Sequence, residues 1–372
     1  MVNKRKVIFL TYIPSPYRVD FFNELNKFCN LFVVYYEKRT NNLGWKDTQK
    51  EHNYEYIILF EKSKLLGILN LFKLLISERK NIFVIGGYAM LPEIFAILFL
   101  KIIGVKFVIN SDGGFITKGF LKNLIKKLLI QSASHWLSSG INTTLTLKYY
   151  GAKKAAIFEY PFTSLFKNDL LTVIPHVSEK YDLKKKLNLN PEYSYIIFVG
   201  QLIQRKGIDV LIKAYSKLNL KNVEILLIGD GEMSVELISL SESHNIALKI
   251  KFLGKKSKEE VLKYMKLSDV FILPSREDIW GLVINEAVAN GLAVISTKQV
   301  GASYSLIKEG LNGYIINCDN EIELSQAIEK VYAGNLFEQQ KMSLDIAKDY
   351  NIENMVKAHL KLFNKLNANT RH

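Results

Sequence analysis

A short segment in the second half of the chain contains two carboxylates whose spacing would allow both to contact a bound ligand. Asp278 lies in a predicted strand-to-helix turn, and Glu286 follows eight positions later, inside the helix. Gly281 lets the backbone approach a ligand closely, and the helix-start amides around 280–283 favour an anion such as diphosphate. Glu286 could accept hydrogen bonds from a diol such as a ribose. An exposed turn with a capping Asp and an ordinary surface Glu fits the same spacing.

A pair of cations provides a second chemical feature. The apolar run Tyr195–Val199 ends at Gly200, and Arg205 and Lys206 follow just before the next predicted helix. Arg offers a fork to phosphate oxygens and Lys offers a point charge. Together they could neutralise a leaving diphosphate without a metal ion. A solvated surface pair fits the same spacing.

The elements that must position these residues follow an α/β plan. Short, continuous apolar runs end in turn residues and alternate with helical patterns, which is typical of a parallel sheet covered on both faces. We expect strands at these runs: Val7–Leu10, Leu31–Tyr36, Ile82–Ile85, Val105–Ile109, Tyr195–Val199, Glu224–Ile228, Val270–Leu273 and Leu292–Ser296. In such sheets ligands bind beyond the carboxyl ends of the strands.

The length of 372 residues predicts two domains. The least regular long stretch, 165–191, marks the boundary, so we expect an N-terminal domain over 1–175 and a C-terminal domain over 176–345. The amphipathic pattern in 346–372 predicts a helix that packs back on the N-terminal domain. Two such α/β domains facing each other would enclose a cleft.

The amino-acid composition and the charge distribution limit the classes of protein to which this chain can belong. The two cysteines, Cys29 and Cys318, are far apart, which argues against a disulfide framework or a thiolate metal site. The apolar stretch 90–109 is interrupted by charges and is a poor membrane span. Residues 1–178 hold 24 Lys and Arg against 12 Asp and Glu, a net of +12, whereas residues 179–372 have a net of +2. A basic first half favours a negatively charged partner, either nucleic acid or anionic lipid.

The two chemical segments resemble the donor site of the retaining family 4 glycosyltransferases, which have the GT-B architecture of two facing Rossmann-like domains. Four further pieces occur in the family's order, namely Gly229-Asp230-Gly231, Phe252-Leu253-Gly254, Gly291 with Gly301, and Gly310 to Tyr314. The resemblance is strong over 195–315 and weak elsewhere. It implies transfer of a sugar from a nucleotide-sugar donor.

The resemblance also implies roles for single residues. Lys206 and Arg205 look like the cations that hold the donor diphosphate, Glu286 like the ribose-binding carboxylate, and Asp278 like the carboxylate that contacts the transferred sugar, where Glu is common. Gln201 stands where many members have a phosphate-binding Arg. The full set of donor-binding residues implied is Gly200, Gln201, Arg205, Lys206, Gly231, Phe252, Leu253, Asp278, Ile279, Trp280, Gly281, Leu282 and Glu286.

The first domain departs further from the family. Pro16-Tyr17-Arg18 replaces the usual paired glycines, and similar starts occur in members linked to surface polysaccharide assembly. Tyr17 and Arg18 are therefore acceptor-side candidates. Asp112 follows a predicted strand where many members have His, so it is a candidate for contact with the reacting sugar or acceptor hydroxyl. A helix-start charge for Arg18 and a turn-forming Asp for Asp112 fit equally.

The expected activity is transfer of a hexose-type sugar, from a UDP-sugar or GDP-mannose, to a lipid-linked or saccharide acceptor in surface polysaccharide synthesis. No cofactor or metal is expected, since no Asp-x-Asp motif stands near a strand end. Retention of configuration is implied by the family alone. The alternatives are a nucleotide-sugar epimerase on the same fold and a nucleic-acid-binding protein, although no nucleic-acid module appears.

The stretch Lys118–Ile130 reads as a basic amphipathic helix. Its apolar face could lie in a bilayer interface while its lysines meet anionic headgroups. A helix packed on the sheet with solvated lysines explains the same pattern. We therefore expect a cytoplasmic protein, peripheral at the inner face of the plasma membrane.

Overall fold

The computed structural model describes residues 5–38, 51–61 and 63–368, and the chain divides into two compact units. Unit 1 consists of residues 1–164 together with 351–372, and unit 2 consists of 165–350. Each unit contains one parallel sheet with helices packed on it.

Unit 1 contains a seven-stranded sheet in the order β3-β2-β1-β4-β5-β6-β7, with every pairing parallel. The central strands are fully buried apolar runs, as expected for a sheet covered on both faces. The strands are β1 Val7–Thr11, β2 Leu31–Tyr35, β3 Glu55–Ile58, β4 Ile82–Ile85, β5 Phe107–Ser111, β6 His135–Ser138 and β7 Ile157–Glu159.

The helices of unit 1 are α1 Pro16–Asn26, α2 Lys64–Ser77, α3 Leu91–Ile102, α4 Phe120–Ser132, α5 Ile141–Tyr149 and the C-terminal α14 Ile352–Ala368. Side chains of α2, α3 and α4 enter one apolar core with the sheet. Helix α14 packs against α1 and β7. Its buried stripe includes Met355, His359 and Phe363 at helical spacing.

Unit 2 contains a six-stranded parallel sheet in the order β10-β9-β8-β11-β12-β13. The order reverses between β8 and β11, so the loops after these two neighbouring strands diverge to opposite faces and leave a ligand crevice. The strands are β8 Ser194–Val199, β9 Val223–Ile228, β10 Ile250–Gly254, β11 Val270–Leu273, β12 Ala293–Thr297 and β13 Gly313–Ile316.

The helices of unit 2 are α6 Val177–Lys186, α7 Ile208–Ser216, α8 Ser234–Ser243, α9 Lys258–Leu267, α10 Leu282–Ala289, α11 Ser303–Leu306, α12 Glu321–Ala333 and α13 Leu336–Ala347. Single 3-10 turns occur at Lys154–Ala156, Lys167–Asp169, Gln204–Lys206 and Ala247–Lys249. The turn at 204–206 lies between β8 and α7.

The bounds of the units differ from the sequence prediction, and unit 2 extends to residue 350 where 345 was expected. The first unit ends at Ser164, earlier than residue 175, because the segment that follows joins unit 2, where the Leu171 amide donates to the Ala289 carbonyl. The stretch 165–191 was expected to be irregular but contains α6. Helix α6 packs against α9, and Lys180 pairs with the partly buried Asp269 at 2.8 Å. Tertiary contacts, rather than apolar periodicity, stabilise this helix.

None of the helices in the described part of the chain combines the length and the hydropathy needed to cross a bilayer. The apolar stretch 90–109 contains all of α3 and, after a turn, the first three residues of β5.

Candidate active site

The loop after β8 in unit 2 is shaped by glycines. Gly207 adopts a left-handed conformation, with φ of +69°, between the 3-10 turn and α7. A Cβ at this position would lie 2.1 Å from the carbonyl oxygen of Pro274, so only glycine lets this loop contact the loop after β11. Gly229, after β9, is equally close to the loop after β8. A Cβ at this position would lie 1.8 Å from the Gly200 carbonyl oxygen. The loops that contain the predicted site residues are therefore in direct contact.

Lys206 and Asp278 meet across these two loops. The Lys206 Nζ donates to the Asp278 Oδ2 at 2.5 Å, and the side chains are 12% and 17% exposed. The pair lies beyond the carboxyl ends of β8 and β11, where parallel sheets bind ligands. Both groups are open enough to exchange this contact for one with a ligand.

Arg205 is exposed beside this pair. Its Nη1 donates to the backbone carbonyl of Glu277 at 2.6 Å. A single contact to a neutral carbonyl leaves the positive charge of the guanidinium uncompensated, so an anion near Lys206 would meet two cations.

Arg276 fixes the position of the loop that holds the two cations. Its guanidinium contacts Asp209 at 2.8 and 2.9 Å, Asp319 at 2.7 Å and the Gln204 carbonyl at 2.5 Å. Its own amide donates to the Arg205 carbonyl at 2.8 Å. The hydrogen bond to Asp209 and the charges of both carboxylates raise the pKa of Arg276. One side chain thus joins the loops after β8, β11 and β13.

The turn from 278 to 282 leads from β11 into α10. The Asp278 amide donates to Gln299 at 2.9 Å, and Gly281 has a φ of +89° immediately before the helix. The indole of Trp280 is buried and donates to Asn285 at 2.8 Å, so this side chain supports the turn, while Ile279 is exposed. The first amides of α10, at Leu282 and the next residue, precede the intrahelical hydrogen bonds and suit an anion.

Glu286 lies in the second turn of α10 and is partly buried. Burial raises the pKa of its carboxyl to about 6, and the charge of Lys258 opposes the rise only in part. In the described part of the chain no hydrogen bond to this carboxylate is formed. A carboxylate in this state can accept hydrogen bonds from a diol.

The other predicted donor residues surround the same sheet edge. Gln201 is exposed after Gly200, and Gly231 follows β9. Phe252 and Leu253 are partly buried near the end of β10, where the Gly254 carbonyl accepts from Gly229 at 3.0 Å. These residues lie in the loops and strand ends beside the cation pair and make no ion pair themselves.

In unit 1, two residues proposed separately from the sequence form one ion pair. Arg18, in the first turn of α1, is 4% exposed and donates through Nη2 to Asp112, which follows β5. Burial would lower the pKa of Arg18, but the negative charge of Asp112 more than offsets it, so the pKa lies above its ordinary value. The Nη1 is buried without a hydrogen-bond partner among the described residues. A ligand oxygen would satisfy this donor.

Asp112 is held by further side chains. Its Oδ1 accepts from Asn110 at 2.9 Å and from the Tyr160 hydroxyl at 2.7 Å. The Asn110 oxygen lies 3.3 Å from Nε2 of the fully buried His359 on α14, and the other ring nitrogen of His359 lies 2.8 Å from the Met355 carbonyl. Desolvation lowers the pKa of His359 to about 3, against the raising effect of the Met355 contact, so the ring is neutral.

Tyr17 neighbours this ion pair. Its ring packs edge-on against Phe162, with centroids 5.7 Å apart, and burial raises the pKa of its hydroxyl. Tyr17 is thus partly enclosed by the core of unit 1, and the adjacent Arg18 forms the ion pair with Asp112.

Sequence reasoning missed five residues that support the two clusters, namely Asn110, Tyr160, Asp209, Arg276 and His359. Arg276 stands within the recognised segment, and its proximity to Asp278 was an available signal. Asp209 lies three positions after Lys206. His359 and Tyr160 are distant from Asp112 along the chain, and no local pattern connects them.

Comparison with known proteins adds an independent observation to this geometry. Residues 179–355 match the family described as "Glycosyl transferases group 1". The matched segment contains Lys206, Asp278 and Glu286.

Two curated relatives illustrate the match. The chain is 27% identical over 189 residues to an uncharacterized glycosyltransferase, MJ1607, of Methanocaldococcus jannaschii, covering 50% of this chain and 48% of that protein. It is 28% identical over 152 residues to the lipopolysaccharide core biosynthesis glycosyltransferase LpsE of Rhizobium meliloti, covering 41% and 43%. The matched region thus spans less than half the length of these relatives.

The fold is similar over the whole chain to solved structures. Anabaena Alr3699/HepE, solved in complex with UDP, has a TM-score of 0.77 at 16% identity, covering 98% of this chain and 100% of that one. The α/β fold with two Rossmann-like parallel sheets, as in GT-B glycosyltransferases, is therefore confirmed.

Proposed function

We propose that this protein transfers a hexose-type sugar from a nucleotide-sugar donor, with UDP-sugars favoured and GDP-mannose the alternative, to a lipid-linked or saccharide acceptor of a surface polysaccharide. The group 1 match of residues 179–355 supports sugar transfer. The UDP and UDP-glucose complexes of HepE support the donor, and the name of LpsE supports the acceptor class.

The observation that supports this function best is the Lys206–Asp278 contact beyond β8 and β11, with Arg205 beside it. A diphosphate placed there would meet two cations and the first amides of α10. When Lys206 turns to the phosphate, the Asp278 carboxylate becomes an acceptor for a hydroxyl of the sugar. Glu286 would accept from the ribose hydroxyls.

This arrangement suits the charge changes of glycosyl transfer. The bond between the anomeric carbon and the phosphate oxygen breaks, and its electron pair leaves with the diphosphate through an oxocarbenium-like transition state. The acceptor oxygen forms the new bond to the anomeric carbon, and its proton passes to the departing diphosphate oxygen. Lys206, Arg205 and the α10 amides would stabilise the charge that develops on the diphosphate.

Retention of configuration, placement in family 4 and independence from metal are parts of the same proposal. The resemblance of the sequence motifs supports the first two. The two cations support the third, because they can supply the positive charge that a divalent ion supplies elsewhere. Transfer rates should be equal with EDTA and with added Mg²⁺; a rate that falls to background in EDTA would refute metal independence.

A thermal-shift screen against UDP-, GDP-, dTDP- and CMP-sugars tests donor binding, since a ligand that binds the folded state raises the melting temperature with its concentration and affinity. We expect UDP-sugars to give the largest shift. The Lys206→Ala variant should lose most of it, whereas Lys221→Ala, an exposed lysine at the amino end of β9, should keep it. If no nucleotide sugar shifts the parent protein, the proposal fails.

Incubation of the donor alone separates transfer from epimerisation. A transferase leaves the sugar configuration of the donor unchanged when no acceptor is present. Appearance of an epimerised nucleotide sugar, detected by chromatography against standards, would favour the epimerase instead.

A further inference from the structure

Three neighbouring helices of unit 1 expose an unusual amount of apolar surface. Within the described residues, α2, α3 and α4 expose twelve large apolar side chains. Several are more than two-thirds solvent-accessible, including Leu65 at 72%, Leu91 at 70%, Ile102 at 80% and Phe120 at 85%. The others are Leu66, Leu69, Ile76, Phe95, Leu121, Leu124, Ile125 and Leu128. We call these twelve side chains the apolar face. Large exposed apolar side chains concentrated on neighbouring helices are typical of an interaction site.

The three helices lie side by side on one face of the sheet. Helix α3 packs against both α2 and α4, and all three direct buried side chains into the same core. Their exposed residues therefore lie on the side away from the sheet. Most of the apolar face belongs to the first halves of the helices, which begin near the carboxyl ends of the strands.

The exposed charges within the three helices have one sign. The three helices contain six lysines: Lys64, Lys73, Lys101, Lys122, Lys126 and Lys127. Their one acidic residue, Glu93, is buried and accepts hydrogen bonds from the amides of Ala89 and Met90. Unit 1 as a whole has 27 Lys and Arg against 12 Asp and Glu, a net of +15, whereas unit 2 has 23 against 24, a net of −1.

We propose that the apolar face of α2, α3 and α4 docks on a bilayer that contains anionic lipid. Apolar side chains would enter the interface, and the lysines around them would meet anionic headgroups. A second copy of the chain is a poorer occupant. A two-fold interface places the same patch on both partners, so the lysines of one copy would face those of the other.

Docking through this face would bring a lipid-linked acceptor to the functional end of unit 1. The first turns of α2, α3 and α4 lie at the same edge of the sheet as Arg18 and Asp112, which follow β1 and β5. A glycan that rises from the membrane at this edge would approach the partly exposed Asp112 and its partner Arg18, whose buried Nη1 has no hydrogen-bond partner among the described residues. This last step rests on the proposed function; membrane docking does not.

Co-sedimentation with vesicles tests the docking without any donor or acceptor. The full chain should bind vesicles of phosphatidylglycerol and phosphatidylcholine and should bind pure phosphatidylcholine far less. Replacing Lys122, Lys126 and Lys127 with Glu should weaken binding to the anionic vesicles by at least about tenfold. Changing Leu65, Leu69 and Leu91 to Ser, on α2 and α3 only, should also weaken it, by about tenfold.

A matched control has the same charge change in unit 2, at the exposed residues Lys221, Lys263 and Lys341, and should bind like the parent. Equal binding of the parent and the α4 lysine variant would overturn the proposal. If the parent protein does not bind vesicles but forms dimers, and the Leu-to-Ser variant does not dimerise, the apolar face serves self-association instead. A UDP-sugar thermal shift on the same variants reports the donor site separately, so failure of docking and failure of donor binding are distinguishable.

Discussion

Each unit places a cation and a carboxylate beyond the carboxyl ends of its strands, but the two pairs differ in enclosure. In unit 1, the cation Arg18 is only 4% exposed, whereas Asp112 is 24% exposed and is also held by Asn110 and Tyr160. In unit 2, the two side chains of the pair are 12% and 17% exposed and join two loops. The cation of the first pair is therefore buried and its carboxylate is held by two further side chains, whereas the cation of the second pair is partly exposed.

The difference teaches how the same pairing can serve two purposes. A buried charge that loses its partner is strongly destabilising. A pair with a buried cation therefore keeps its geometry and does not readily change partners. A partly solvated pair contributes little to stability and can change partners when an anion arrives. We therefore expect substitutions in unit 1 to act mainly on folding and those in unit 2 mainly on donor binding.

The largest effect should come from breaking the unit 1 pair. Asp112→Asn leaves the Arg18 charge buried without compensation, which should lower the free energy of unfolding by about 3–5 kcal/mol. Denaturant unfolding measures this. Tyr160→Phe removes one hydrogen bond to the same carboxylate and should cost less, about 1.5–3 kcal/mol. The double variant Arg18→Met with Asp112→Asn should recover part of the loss, and a loss of under 1 kcal/mol for Asp112→Asn alone would show that the pair is not enclosed.

Lys206→Ala should show the reverse pattern. Charged hydrogen bonds to a leaving group contribute about 1.5–3 kcal/mol, so kcat/KM for transfer should fall by at least about tenfold. The free energy of unfolding should change by less than about 1 kcal/mol, as for other partly exposed pairs. Steady-state kinetics and denaturant unfolding on one preparation test both. Unchanged kinetics would remove Lys206 from the site.

Glu286 should make donor affinity depend on pH. Its folded-state pKa of about 6 lies above the ordinary value of 4.5, so the folded protein favours the protonated carboxyl. The stability contribution of Glu286 is therefore highest below pH 4.5 and declines as the pH rises to about 6. If the ionised carboxylate accepts from the ribose hydroxyls as proposed, UDP affinity should increase as the pH rises through about 6.

Calorimetric titration of UDP between pH 5 and 7.5 measures this dependence. Glu286→Gln should bind UDP more weakly and with no change over that range. At neutral pH its free energy of unfolding should also exceed that of the parent by roughly 1–2 kcal/mol, because the buried charge is gone. If the UDP affinity of the parent protein does not change with pH, Glu286 does not contact the ligand.

The smallest effect should come from Arg276, which acts through the position of the cation loop. Arg276→Lys keeps the charge but cannot contact Asp209, Asp319 and the Gln204 carbonyl together. The donor KM should rise by about threefold to fivefold, with a change in stability of under about 1 kcal/mol. Asp319→Asn, at a 55% exposed partner, serves as the control and should change neither quantity. A raised donor KM in Asp319→Asn would contradict the ranking of these contacts.

The sequence by itself determined the central strands and the donor-side segment. Buried parallel strands are continuous apolar runs, so β1, β4, β8 and β11 were visible as hydrophobic patterns. The group 1 segment was recognised because its turn residues and charges follow at fixed local spacing. Five strands were not predicted, namely β3, β6, β7, β10 and β13. The edge strands β3 and β7 have exposed or partly exposed side chains, which give no such pattern.

Only the tertiary structure decided which charges meet. Lys206 and Asp278 are 72 residues apart, Arg18 and Asp112 are 94 apart, and both pairs form because parallel strands bring distant loops to one edge of a sheet. The return of α14 to unit 1 places His359 beside Asn110 across 249 residues. Side-chain periodicity specifies which face of an element is buried, whereas the partner of a polar group depends on strand order, which local sequence does not encode.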